Sequence, residues 1–267
     1  MAIRFGKLER LIEIPTGGLG FTLTEGGVDS MMTITAGNKY FLSSGYGAGN
    51  TLLADMATIM SFAGGDYTVS ITATENGTGL VTIARTDGGP AQFSITWTST
   101  DFRDLLGFTQ GNLSGATTYT GASQAKSLWL PDAPLNSLYG PNDAGHYETD
   151  GFATESSLGH VKALFGNKKQ VNVLVWNGVT RPKVRVAGES RANESFEQFW
   201  LDSILGEASW AAGAGGICRL YWDAGVDGTY TDYKIVGEAL RTFQAEMMED
   251  GWVGLWNVRL DRCVVVP

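Results

Sequence analysis

Residues 66–97, DYTVSITATENGTGLVTIARTDGGPAQFSITW, decide how the chain is read. Apolar residues recur at every second position: Val69, Ile71 and Ala73; then Leu80 or Val81, with Ile83; then Phe93, Ile95 and Trp97. A period of two places one set of side chains on a buried face and the other in water, which is the signature of a half-buried strand. Asn76-Gly77 and Asp87-Gly88-Gly89-Pro90 separate the three runs, and both are hairpin signals. The spacing therefore predicts three successive antiparallel strands sharing an inward face.

Working outward, MMTITAGNKYFLSS (31–44) alternates as a strand pair, and NTLLADMATIM (50–60) then changes period. Leu52, Leu53, Met56, Ile59 and Met60 fall on one helical face, with Asn50 or Thr51 as N-cap and Ala63-Gly64-Gly65 as the stop. On the other side, DFRDLLGF (101–108) reads as one helical turn after the last strand. Asp101 is expected to cap it, Leu105, Leu106 and Phe108 to plug the open end of the sheet layers, and Gly107 to reverse the chain at positive φ.

Residues 109–160 read as irregular, which in a compact protein marks a linker or a partner-binding arm. Trp129, Leu130, Leu135, Leu138 and Tyr139 are large apolar groups within it. They are the candidate subunit-interface residues, the alternative being that they dock on this chain's own sheet. The second half repeats the order of the first. KKQVNVLVW (168–176) and PKVRVAG (182–188) read as strands, and ANESFEQFWLDSILG (192–206) as a helix capped by Asn193 with Gly206 at its stop. GGICRLYWD, TYTDYKIVGE, RTFQAEMM and GWVGLWNVRLDRCVVV follow as strands. The expected architecture is mainly β with a few helices: two β-sandwich domains, each flanked by one α-helix. The expected divisions are 1–125 for the first domain, 126–160 for an extended linker or arm, and 161–267 for the second.

Composition agrees with this class. The chain has 267 residues, 43% hydrophobic and 18% charged, too apolar for disorder. Its 36 glycines supply the positive-φ positions that tight turns need. A net charge of −9, with only 19 Lys and Arg, disfavours a counterion-releasing grip on nucleic acid, although an acidic lumen would let DNA pass without sticking. Charges at Arg4, Lys7, Glu9, Arg10 and Glu13 interrupt the N-terminal apolar residues, so no signal peptide is expected, and no run reaches the length of a membrane span. Cys218 and Cys263 each sit in a strand-like segment and read as buried free thiols.

Catalysis finds little material. Two histidines, His146 and His160, cannot furnish a His-rich metal site, and no phosphate-binding glycine loop or nucleophile elbow is present. Asp223, Asp227 and Asp232 have the look of a calcium loop but lack its alternating acids, so a hairpin tip is expected. Glu194 and Glu197 belong to a helix's first turn, where they offset the macrodipole. Lys168, Lys169, Arg181, Lys183 and Arg185 form the one basic cluster, read as a solvated strand face. No enzyme activity, cofactor or metal is expected.

The run from Phe93 to Pro134 resembles segments of tailed-bacteriophage structural proteins, in which a strand ending in Trp leads to an R-D-L-L-G-F turn, an L-S-G loop and a W-x-P element. The matching residues are Trp97, Arg103, Asp104, Leu105, Leu106, Gly107, Phe108, Leu113, Ser114, Gly115, Trp129 and Pro131. By element order the second half is similar to the tail-tube fold of distal tail and tail-tip proteins. The resemblance implies a ring-forming virion subunit near the distal tail or baseplate hub, partnered by its own copies and other tail proteins. Such a subunit would be made in the host cytoplasm and located in the tail, with no membrane partner and no sequence-specific nucleic acid expected. The alternatives are a capsid decoration or head-tail connector protein, and a receptor- or glycan-binding β-sandwich with Trp129, Tyr139 and Trp210 as stacking platforms.

Overall fold

The computed structural model describes residues 6–42, 51–73, 79–88, 92–130, 135–137, 146–155, 161–180, 217–222, 230–235, 243–248 and 251–262. The chain is mainly β, with several antiparallel sheets and, among the described residues, two helices. It begins with β1 (Lys7–Arg10), β2 (Ile12–Ile14), β3 (Leu19–Glu25), β4 (Val28–Ile34) and β5 (Gly37–Lys39), followed by helix α1 (Leu52–Ser61). Then come β6 (Tyr67–Ile71), β7 (Val81–Arg85), β8 (Phe93–Trp97), helix α2 (Thr100–Leu105), β9 (Leu113–Ala116) and β10 (Thr118–Thr120).

These elements build a sandwich. One layer has the order β4-β3-β8-β9 and the other β10-β7-β6. Phe21, Leu23, Met32, Ile34, Phe93 and Ile95 of the first layer meet Tyr67, Val81 and Ile83 of the second in one buried core. Phe93 stands edge-on to both Tyr67 and Tyr119, with ring centroids 5.1 and 4.9 Å away. The outward positions carry hydroxyls, including Thr22, Thr24, Ser94 and Thr96 on one layer and Thr68, Ser70, Thr82 and Thr120 on the other. Thr82 and Thr120 share a 3.2 Å hydrogen bond across their strand pair. Thr is thus used here as a solvated strand former.

Three sequence expectations are corrected. The strands read as a pair within 31–44 do not pair with each other: β4 pairs with β3, and β5 with β2. The strands β7 and β8 do not pair: β7 lies between β6 and β10, whereas β8 lies between β3 and β9. The segment beginning Asp87-Gly88 carries the chain from one layer to the other, because alternation specifies an inward face but not which layer supplies it. The cap of α2 is Ser99, whose side chain accepts from Phe102 N at 3.3 Å, while Asp101 sits in the first turn.

The helices close the sandwich. Thr51 caps α1, accepting from Ala54 N at 3.0 Å, and Leu52, Leu53, Met56 and Met60 enter the core, with Ile59 half-buried beside them. This helix lies against both β4 and β6, the outer strands of the two layers on one side. Tyr67 N donates to Ser61 Oγ at 3.3 Å, and Lys39 pairs with Asp55. On the opposite side the chain passes directly from β9 into β10, where Arg85 N donates to Thr117 O at 3.0 Å.

The residues after α2 end it as a Schellman motif: Gly107 N donates to Asp104 O and Phe108 N to Arg103 O, at 3.0 and 3.1 Å. Gly107 has φ +81°, and a Cβ there would collide with the Ser123 carbonyl oxygen. Leu105, Leu106 and Phe108 are buried as the plug reading expects, and Trp97 packs on Phe102 and Phe108 with centroids 5.8 and 5.7 Å apart.

The remaining strands are β11 (Leu128–Trp129), β12 (Leu135–Ser137), β13 (His146–Glu155), β14 (Val161–Thr180), β15 (Ile217–Tyr221), β16 (Tyr230–Ile235), β17 (Phe243–Met248) and β18 (Gly251–Arg262). They join β1 in a nine-stranded sheet of order β11-β1-β15-β16-β18-β14-β12, with β13 paired to β14 and β17 to β18. Segment 109–160, irregular by sequence, therefore supplies five strands among its described residues, β9 to β13. The strand readings at 168–176, 215–223, 229–238, 241–248 and 251–266 fall on β14 to β18 where their residues are described. The strand at 182–188 and the helix at 192–206 lie outside the described residues.

Candidate functional site: a buried charged seam along β1

The strand β1 reads Lys7-Leu8-Glu9-Arg10, and all four residues are buried. It lies between β11 and β15, with Glu9 opposite Leu128 on one side and Arg219 on the other. The first strand of the chain is thus an interior member of a sheet whose other strands come from residues 128–262. Alternating charges that interrupt an apolar run read as a solvated segment; here they are enclosed.

Each buried charge requires compensation. Arg219 reaches away from Glu9 to Asp232 on the neighbouring β16, donating from Nε to Oδ1 at 2.7 Å and from Nη2 to Oδ2 at 3.0 Å. Its guanidinium lies over the rings of Tyr40 and Tyr230, 3.9 and 3.8 Å from their centroids. Stacking and a two-point carboxylate contact are what a planar, weakly hydrated cation accepts in place of water. Burial opposes the Arg219 charge, but Asp232 together with Tyr40 and Tyr230 outweighs it, so the group is held protonated above its ordinary range. Tyr40 donates to the same Asp232 at 3.2 Å, and burial, then the Asp232 charge, pushes its phenol upward.

Lys7 turns to the sandwich, donating to Ala73 O at 2.9 Å while its ammonium lies 4.7 Å from the centre of the Tyr221 ring. Glu9 accepts from Tyr221 OH at 2.6 Å and from Leu42 N at 2.6 Å. No ion pair to Glu9 occurs among the described residues. Burial, only partly offset by the Tyr221 and Leu42 hydrogen bonds and the Arg219 charge, pushes its carboxyl up to about 7. The seam thus links the sandwich, through Ala73, Tyr40 and Leu42, to the large sheet, through Lys7, Glu9, Tyr221, Arg219 and Asp232. Its geometry is that of a structural clamp with one titratable member near neutrality.

The sequence-derived candidates fare unevenly. Trp129 and Leu130 are buried within this chain, 2% and 0% exposed, so neither presents an open surface to a partner, nor is Trp129 a stacking platform. Both follow Leu128, which with Ala73 and Leu130 forms a small apolar cluster. In β12 Leu135 is opposite Trp176; Leu138, Tyr139 and Trp210 lie outside the described residues. His146 is in β13 opposite Val171, and His160 lies outside. Asp232 is engaged by Arg219, whereas Asp223, Asp227, Glu194 and Glu197 lie outside the described residues, as do Arg181, Lys183 and Arg185. Lys168 and Lys169 are in β14 opposite Thr149 and Glu148. Among the described residues no group of three or more His, Cys, Asp or Glu could hold a metal, and no helix is long and apolar enough to cross a membrane. Cys218 is buried and in no disulfide among the described residues, and Cys263 lies outside them.

The sequence reading passed over Lys7, Glu9, Tyr40, Arg219 and Tyr221 as a set. Little local signal was available: Glu9-Arg10 and Leu11-Ile12 break the period of two over Lys7 to Ile14, and three charges within four residues do not announce a buried strand.

No family of known proteins matches the chain, and no curated protein matches it. A crystal structure of a selenomethionine-labelled mavirus penton protein aligns over 97% of this chain and 84% of that chain, at 10% identity and a TM-score of 0.26. That superposition is too loose to assign a shared fold.

Proposed function

We propose that the chain is a non-enzymatic structural subunit of a tailed-phage virion, a ring-forming component near the distal tail or baseplate hub. The observation that supports it best is the ribbon of β13 and β14. β14 runs for 20 residues, of which 171–180 pair with β18. Residues 161–171 pair with β13, and among the described residues 161–170 have no strand on their other side. Ten residues of strand span about 30 Å, and a ribbon two strands wide is marginal in water without further cover. A projecting ribbon of this kind suits association with neighbouring copies, and the likeness of residues 93–134 to phage structural proteins supplies the setting.

The sandwich is a poorer candidate for that contact, because α1 and the β9–β10 crossing occupy its two open sides. Ring assembly is therefore assigned to the large sheet and its ribbon.

The test is to shorten the ribbon by joining Glu148 to Lys169, which face each other in register, through an Asn-Gly turn. Light scattering and negative-stain imaging should show closed oligomers for the parent chain and monomers for the shortened one. A parent chain that stays monomeric at every concentration would overturn the reading.

A further inference from the structure

The β1 seam joins two bodies of structure through one carboxyl that has no ion pair among the described residues. Arg219 is opposite Glu9 in register, yet its guanidinium is held by Asp232 and stacked on Tyr40 and Tyr230. Lys7 is committed to Ala73 O and the Tyr221 ring. Among the described residues, the charged and titratable groups around Glu9 are Lys7 and Arg10 on its own strand, Arg219, Cys218 and Tyr221 on β15, Tyr40 on the segment before α1, and Asp232 behind Arg219; β11 contributes none. Glu9 itself is fully buried and touches both sides of the seam, Leu42 N with Oε1 and Tyr221 OH with Oε2.

We propose that β1 is a pH-gated latch: ionisation of Glu9 loosens β1 from β15 and from the turn at Phe41–Leu42, while the sandwich stays folded. A carboxylate formed there is fully buried and has no ion pair among the described residues, so opening the strand is its route to solvation. The direction follows from a folded carboxyl raised from 4.5 to about 7. The closed state holds the proton over that window, so the latch weakens as pH rises through it and levels off above. This inference stands apart from the virion reading.

The experiment is hydrogen exchange of the full chain at pH 6 and pH 8, corrected for the intrinsic rate. Peptides covering 7–14 and 217–221 should open about tenfold more at pH 8, the ratio that follows from those two values. Peptides covering 81–85 and 93–97 should hold their protection. In Glu9→Gln the pH response of the seam should vanish. Tyr221→Phe removes a donor that favours the carboxylate, so its protection should keep falling to a higher pH before levelling. Equal protection of the parent seam at both pH values overturns the latch, as does an undiminished pH response in Glu9→Gln or a loss of protection shared by the sandwich. Should Glu9→Gln fail to fold, the parent profile and Tyr221→Phe decide the matter.

Discussion

Gly107 and Glu9 illustrate how far a single residue's surroundings depart from its sequence neighbours. At Gly107 two requirements coincide, a φ of +81° and a backbone approach that leaves no room for a Cβ. Left-handed backbone costs an L-residue about 1–2 kcal/mol before any collision. Gly107→Ala is therefore expected to destabilise by at least about 2 kcal/mol, read from the denaturant midpoint at unchanged slope; a variant that unfolds with the parent contradicts the geometry. The need for glycine was legible in the sequence, whereas the Ser123 carbonyl above it was not. At Glu9 the carboxyl is raised, so the folded state binds the extra proton between pH 4.5 and about 7. Its stabilising contribution is complete below the lower value and lost as pH rises through the upper, amounting to about 3 kcal/mol. Chemical denaturation from pH 4.5 to 8 should show Glu9→Gln with a flatter stability profile than the parent. A parallel pair of profiles is the contrary result.

Among the elements, α1 and α2 were readable because their signals are local. The capping hydroxyl, the apolar spacing and the glycine stops all lie within a few residues of one another. Thr51→Ala removes the hydrogen bond to Ala54 N and should cost about 1 kcal/mol, measurable as a fall in the melting temperature of a few degrees; no change would mean that packing alone sets the helix start. Leu106 is fully buried at the C-terminal end of α2, within the core that Phe102 and Phe108 also enter. Leu106→Asp is accordingly expected to destabilise by several kcal/mol through burial of an unpaired charge, and a variant melting like the parent would show that the plug is dispensable. The cap at Ser99 in place of Asp101 is a two-residue shift between equally competent side chains, which capping preference alone does not resolve.

At the scale of the whole molecule, the placement of α1 against β4 and β6 bears on assembly. Met31 on β4 is 80% exposed and apolar, and an open outer strand with such a residue invites pairing. With a helix filling that side of the sandwich, Met31→Lys is expected to leave the oligomeric state unchanged by light scattering, and dissociation of oligomers would relocate the interface to β4. The sequence by itself determined the class of structure, the existence and type of most elements from β4 to α2, and the inward residues of β6, β7 and β8. Those properties follow from period, capping and turn chemistry acting over short separations. Only the tertiary structure decided that β7 and β8 belong to opposite layers, that Trp129 and Leu130 are enclosed, and that Lys7 to Arg10 form an interior strand beside Ile217–Tyr221. A strand's partner is chosen by contacts between residues far apart in the chain. The compensation for its charges, here Asp232, Tyr221 and Ala73 O, exists only once those distant segments meet.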